Sequence, residues 1–124
     1  MSTEHMHAAM EKNAEVFPLD LLELCRPAAS PFATMRGWIA DASRVQVVFW
    51  HSEKGLDCAA HDHPYAEWGI VVSGWCDLTI QGGTHRYRAG DCFYIPPGAP
   101  HSAVMSAGYR AIDLFGRADH IKAQ

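Results

Sequence analysis

The chain has 124 residues, 48% of them hydrophobic, and a formal net charge of −4. That length and apolar content suffice for one domain with a single core, and they exclude a disordered or low-complexity chain. The absence of a basic tract argues against a nucleic-acid surface, and no apolar run reaches the length of a membrane span.

Glu4, Glu11 and Glu15 interrupt any basic-then-apolar export pattern at the N-terminus, so a cytoplasmic protein without membrane attachment is expected. The four cysteines, Cys25, Cys58, Cys76 and Cys92, are widely spread and lack C-x-x-C spacing. They are expected to be reduced, buried small hydrophobes.

Met1 to Glu15 carries Ala8, Ala9, Met10 and Ala14 among charged residues, a weak helix pattern without caps. His5 and His7 stand one residue apart there, but nothing nearby completes a site. Val16 to Cys25 suits a short helix or an edge strand equally. Arg26-Pro27-Ala28-Ala29-Ser30-Pro31 is a loop, because neither proline joins a ladder or a helix interior. Residues 1–30 therefore read as an irregular or partly helical N-terminal extension, 31–116 as the folded domain and 117–124 as a polar tail.

From Thr34 onward the pattern is that of strands. Thr34 to Ala40 alternates, and Asp41-Ala42-Ser43 reads as a turn. In Arg44 to His51, Val45, Val47, Phe49 and His51 share one face, while Gln46, Val48 and Trp50 share the other. Phe49 and His51 are candidate pocket-lining residues if their face looks inward. Leu56 to His63 extends after a turn at Ser52-Glu53-Lys54-Gly55.

Glu67 to Ser73 sets Gly69, Val71 and Ser73 on the face of Glu67, and Trp68, Ile70 and Val72 on the other. The small face, with Gly69 and Val71, is expected to leave room for a ligand. The large face needs a cover, either a second subunit in a homodimer or the N-terminal segment. Trp75 to Gln81 and Thr84 to Arg88 form a hairpin around Gly82-Gly83. Cys92 to Ile95, His101 to Met105 and Tyr109 to Phe115 complete the set. Many short strands between glycine and proline turns, with no long helix, indicate an all-β barrel or jelly roll.

His61-Asp62-His63-Pro64-Tyr65-Ala66-Glu67 carries the chemistry. Period-two spacing sets both imidazoles on one face of an extended strand, and Pro64 keeps His63 extended. Neutral imidazoles with a carboxylate suit a divalent first-row transition metal better than calcium or magnesium. A third imidazole, His101, follows the turn Pro96-Pro97-Gly98-Ala99-Pro100. Asp113 is a carboxylate in an apolar strand, to be paired or solvent-facing.

These residues resemble the two signature motifs of the cupin superfamily. The first, Gly-x5-His-x-His-x3-Glu-x6-Gly, is filled by Gly55, His61, His63, Glu67 and Gly74. The second, Gly-x5-Pro-x-Gly-x2-His-x3-Asn, is filled by Gly90, Pro96, Gly98 and His101, with Met105 in place of the final Asn.

The resemblance implies a cupin double-stranded β-helix, a jelly-roll barrel in which His61, His63, Glu67 and His101 hold one divalent metal. Fe, Mn, Ni, Zn, Co and Cu all suit that set. Glu67 separates the chain from thiol dioxygenases of this type, which have the histidines without the glutamate. The expected function is a metal-dependent enzyme of dioxygenase, isomerase or lyase type acting on a small organic molecule. The competing reading is a non-catalytic small-molecule binding or sensing domain in which the metal anchors the ligand or stabilises the barrel. A degenerate site without metal is disfavoured by the complete ligand set.

Overall fold

The computed structural model describes residues 25–41 and 44–123. The expected N-terminal helix pattern, His5 and His7, and Ala42-Ser43 of the expected turn lie outside the described residues. No helix occurs among the described residues, and so none is long and apolar enough to cross a membrane.

Ten strands are present: β1 (Arg26–Pro27), β2 (Met35–Asp41), β3 (Gln46–Ser52), β4 (Leu56–His61), β5 (Glu67–Ser73), β6 (Trp75–Ile80), β7 (Gly83–Arg88), β8 (Cys92–Ile95), β9 (His101–Met105) and β10 (Tyr109–Phe115). They form a six-stranded sheet, β1-β2-β3-β10-β5-β8, and a four-stranded sheet, β4-β9-β6-β7. Every pairing is antiparallel. The non-sequential neighbours β3-β10-β5 and β4-β9-β6 are those of a jelly roll, in which chain-distant strands lie side by side.

The inner faces meet in one core that includes Met35, Ile39, Val48, Trp50, Val71, Leu78, Phe93, Ile95 and Phe115. β3 and β10 alternate strictly between buried and half-buried positions, as strands with one face on a core must. On β3 the inward set is Gln46, Val48, Trp50 and Ser52. That reverses the expectation for Phe49 and His51. Phe49 packs on the outer face with Trp38, Val72 and Ile112. His51 stands between Arg36 on β2 and Arg110 on β10, and burial followed by Arg110 pushes its pKa down. Two polar residues occupy inward positions because each is satisfied there: Ser52 donates to the Lys54 carbonyl at 2.6 Å, and Gln46 holds the C-terminal segment.

Residues 117–123 are not a free tail. The Gln46 amide donates to the carbonyls of Ala118 (3.2 Å) and Ile121 (2.8 Å), and its oxygen accepts from the Ile121 N–H at 2.8 Å. The Ala29 N–H donates to the Lys122 carbonyl at 2.7 Å, and Ala28 bridges Ala123.

The β6–β7 hairpin turns one residue earlier than expected. Ile80 pairs with Gly83, so the loop is Gln81-Gly82, with φ of 51° and 85°. Left-handed values at both central positions match the right-handed twist of a two-residue hairpin.

The outer face of β5 is only partly covered. Trp68 is 38% exposed and Tyr94, its partner on β8, is 56% exposed. Of the four cysteines, all free, only Cys76 is buried; Cys92 is exposed and Cys25 and Cys58 are half-buried. Cys92 departs from the expectation because β8 turns it to the outer face.

Candidate metal centre

Cross-strand register gathers residues far apart in sequence. His61, the last residue of β4, pairs with His101, the first of β9, and their ring centroids lie 4.2 Å apart. His63 sits in the loop after β4, its ring centroid 5.1 Å from that of His101. The Gly98 N–H donates to the His63 carbonyl at 2.8 Å, with Gly98 at φ 75°. The proline-glycine turn before β9 is thereby tied to the histidine loop. Glu67 opens β5 and is buried.

The imidazoles are oriented alike. Nδ1 of His61 lies 2.9 Å from the Ala59 carbonyl, Nδ1 of His63 lies 2.7 Å from the Tyr65 carbonyl, and Nδ1 of His101 lies 2.9 Å from the Ala99 carbonyl. A carbonyl only accepts, so each Nδ1 carries a proton; in the neutral ring Nε2 of His61 and of His101 is left with a lone pair, while Nε2 of His63 is hydrogen-bonded to Glu67 Oε1. The ligand atoms of the three histidines lie within 4.8 Å of one another. Glu67 Oε1 is 3.1 Å from Nε2 of His63 and 3.9 Å from Nε2 of His101. Main-chain carbonyls that fix the tautomer of ligating histidines are the usual outer support of such sites.

Electrostatics follow the same geometry. The hydrogen bond to Glu67 pushes the His63 pKa up, against the effect of burial. Burial pushes His101 down. Two carboxyl groups share the interior, because Asp113 on β10 is also buried. Burial, then the adjoining Glu67 carboxylate, raises the Asp113 pKa well above the usual carboxylate range. Its Oδ1 has no hydrogen-bond partner. Asp113 is thus neither solvent-facing nor salt-bridged, but stands beside Glu67 and the Trp50 side chain.

A cavity of about 470 Å³ opens beside the cluster, with His61, Glu67, His101 and Asp113 on its wall. Phe49 and His51 are not on that wall. Gly69 and Val71 face the interior as expected but do not line the cavity either. The space over Gly69 is taken by the protein itself, for a Cβ there would lie 2.7 Å from Phe93 Cε2 and 2.5 Å from Asp113 Oδ1. Val71, 1% exposed, is packed within the core.

One wall residue escaped the sequence reading. His120, in the supposed polar tail, stacks on Phe115 with ring centroids 3.7 Å apart and lies 5.3 Å from the His63 ring. Its Nδ1 is hydrogen-bonded to the Tyr65 hydroxyl, and burial pushes its pKa down to about 4. Nothing in the sequence pointed to it, because Gln46, whose amide holds this segment, stood on the face opposite the one expected to look inward.

Residues 48–107 match the family model of the cupin domain. No curated protein sequence matches the chain significantly. Among solved structures, KdgF from Halomonas sp. is similar at 25% identity and a TM-score of 0.66, over 73% of this chain and 86% of that one. An RmlC-like cupin from Shewanella frigidimarina NCIMB 400 is similar at 23% identity and a TM-score of 0.70, over 85% and 91%. A deletion mutant of Bacillus subtilis oxalate decarboxylase reaches 19% identity and a TM-score of 0.67, over 79% of this chain and 29% of that one. Motif, strand order and these matches agree, and the chain carries a domain of the cupin superfamily.

Proposed function

We propose that His61, His63, Glu67 and His101 hold one divalent transition metal and that the protein is a metal-dependent enzyme acting on a small organic molecule. The observation that supports this reading is that His61, His63 and His101 bring their ligand atoms within 4.8 Å of one another beside a cavity, with Glu67 Oε1 3.1 Å from Nε2 of His63 and 3.9 Å from Nε2 of His101. Such a donor set fits Fe, Mn, Ni, Zn, Co or Cu. A bound ion would act as a Lewis acid toward a ligand oxygen. The chain's own contribution is to fix the imidazole tautomers through Ala59, Tyr65 and Ala99, and to exclude water with the apolar wall. His120, Asp113 and Cys58, whose Sγ lies 3.7 Å from Nδ1 of His61, are further polar groups of the wall beside the cluster.

Elemental analysis of protein purified without chelator tests the ligand set. His61→Ala and His101→Ala should each lose most bound metal while the β-sheet circular dichroism persists. Full stoichiometric metal in either variant would overturn it. A turnover screen with enolic, carboxylic and phenolic substrates, in dioxygenase, isomerase and lyase formats, then tests catalysis.

The predominantly carbon wall favours one second reading, a binding or sensing domain, which a co-purified ligand released unchanged would support. A homodimer formed over the half-covered face around Trp68 and Tyr94 is part of the same proposal. Sedimentation should then show a dimer that Trp68→Glu dissociates.

A further inference from the structure

The cavity runs away from the imidazoles along β9. His101, Ala103 and Met105 alternate onto its wall, and four residues of strand span about 13 Å. From the opposite sheet β10 contributes Tyr109, Asp113 and Phe115. The chemistry therefore lies at one end, and beyond it the wall is built from side chains such as Met35, Trp50, Leu78, Phe93 and Met105.

Among the described residues, no lysine or arginine lines the cavity. Two arginines of the adjoining elements are turned elsewhere. Arg110 donates to the Ser73 hydroxyl at 3.1 Å, and Arg117 is paired with Asp119 at 2.6 Å. The interior instead already holds two carboxyl groups, Glu67 and Asp113. The positive charge among these groups would then be that of a bound divalent metal, half of it balanced by Glu67. One anionic oxygen on the ligand balances the rest. A second anionic group, projecting along the barrel, would lose its water against carbon with no cation to replace it.

We infer that the cavity takes a ligand with an apolar, ring-sized body and at most one anionic oxygen, and that it rejects dicarboxylates. The charge limit rests on the metal reading above; the apolar body does not. It separates this chain from an oxalate-directed protein of the same fold, because a small dianion would leave the apolar length of the cavity unfilled.

Three probes of the full-length chain test it. Toluene has no group that binds a metal, and it should bind chelator-stripped protein, read by the fluorescence change of Trp50 against a Trp50→Phe control. In metal-loaded protein, 4-methylbenzoate and terephthalate differ only in replacing the distal methyl by a second carboxylate. Calorimetry should give terephthalate an affinity lower by roughly a hundredfold or more, the effect of an uncompensated buried charge. Equal affinity for the two acids, or no toluene binding to stripped protein, overturns the inference. Toluene binding in a chain that takes up no metal would support the apolar body while removing the metal reading alone.

Discussion

The Gln46→Leu variant isolates the latch that holds the C-terminal segment against the barrel. Leucine is close to glutamine in size, and the position is only 1% exposed, so the core keeps its packing while the amide's bonds disappear. Three hydrogen bonds are lost, to the Ala118 carbonyl, the Ile121 carbonyl and the Ile121 N–H. At about 1 kcal/mol each, release of the segment becomes easier by about 3 kcal/mol, roughly a hundredfold in the local opening constant. Native-state hydrogen exchange reads this at Ala29, whose N–H is held by the Lys122 carbonyl on the far side of the segment. Protection of Ala29 should fall by about that factor, while Ala111, at the centre of the sheet and 0% exposed, keeps its own. Unchanged protection at Ala29 would refute the latch and leave Ile121 packing and the His120–Phe115 stack as what holds the segment.

Two further outcomes follow from the interior. Gly69→Ala drives a methyl group into Phe93 and Asp113 and should cost about 1–3 kcal/mol, the range for over-packed cores, measurable as a fall in the urea midpoint at constant m-value. Asp113→Asn addresses pH. The native carboxyl keeps its proton above the usual carboxylate range, because of burial and Glu67, where the unfolded chain has already lost it. The native state therefore binds the extra proton, and stability falls as pH rises from the ordinary aspartate value toward the raised one. In metal-free protein the asparagine variant should flatten that fall in thermal scans; an unchanged slope would place the titration elsewhere.

Punctuation carried most of the fold. Every strand from β5 to β10 begins or ends within two residues of a glycine or proline turn, and their expected limits differ from those observed by one residue at most. Spacing likewise pointed to His61, His63 and His101, which the structure brings together, with Glu67 beside His63, because motif positions survive any uncertainty about which way a strand faces. Facing is where the sequence failed. β3 has apolar residues on both sides, and Phe49 suits an inward position as well as Trp50 does. The decision lay with Gln46 and Ser52, whose partners are 75 and 2 residues away. His120 was invisible for the same reason: the contacts that seat it belong to other strands. Gly69 was read as space, and it is space, but Phe93 and Asp113 fill it.

The arrangement of Glu67 and His63 makes proton and metal rivals for one site. Glu67 Oε1 faces Nε2 of His63 at 3.1 Å. That contact favours a second proton on the ring and raises its pKa. Its stabilising effect on the fold is complete below the ordinary histidine value and is lost as pH rises through the raised one. A metal ion needs the same Nε2 lone pair, so below the raised value of His63 each ion bound must expel one proton. His101, pushed down by burial, has its Nε2 free over that range and adds no proton of its own until the solution is more acidic. Metal affinity should then fall about tenfold for each pH unit immediately below the His63 value, and more steeply in more acidic solution. Competition titrations against a chelator of known proton affinity measure that slope, and Glu67→Gln should shift its onset to lower pH by removing the carboxylate that holds the proton. A slope insensitive to that change would mean that the proton expelled is not the one between His63 and Glu67.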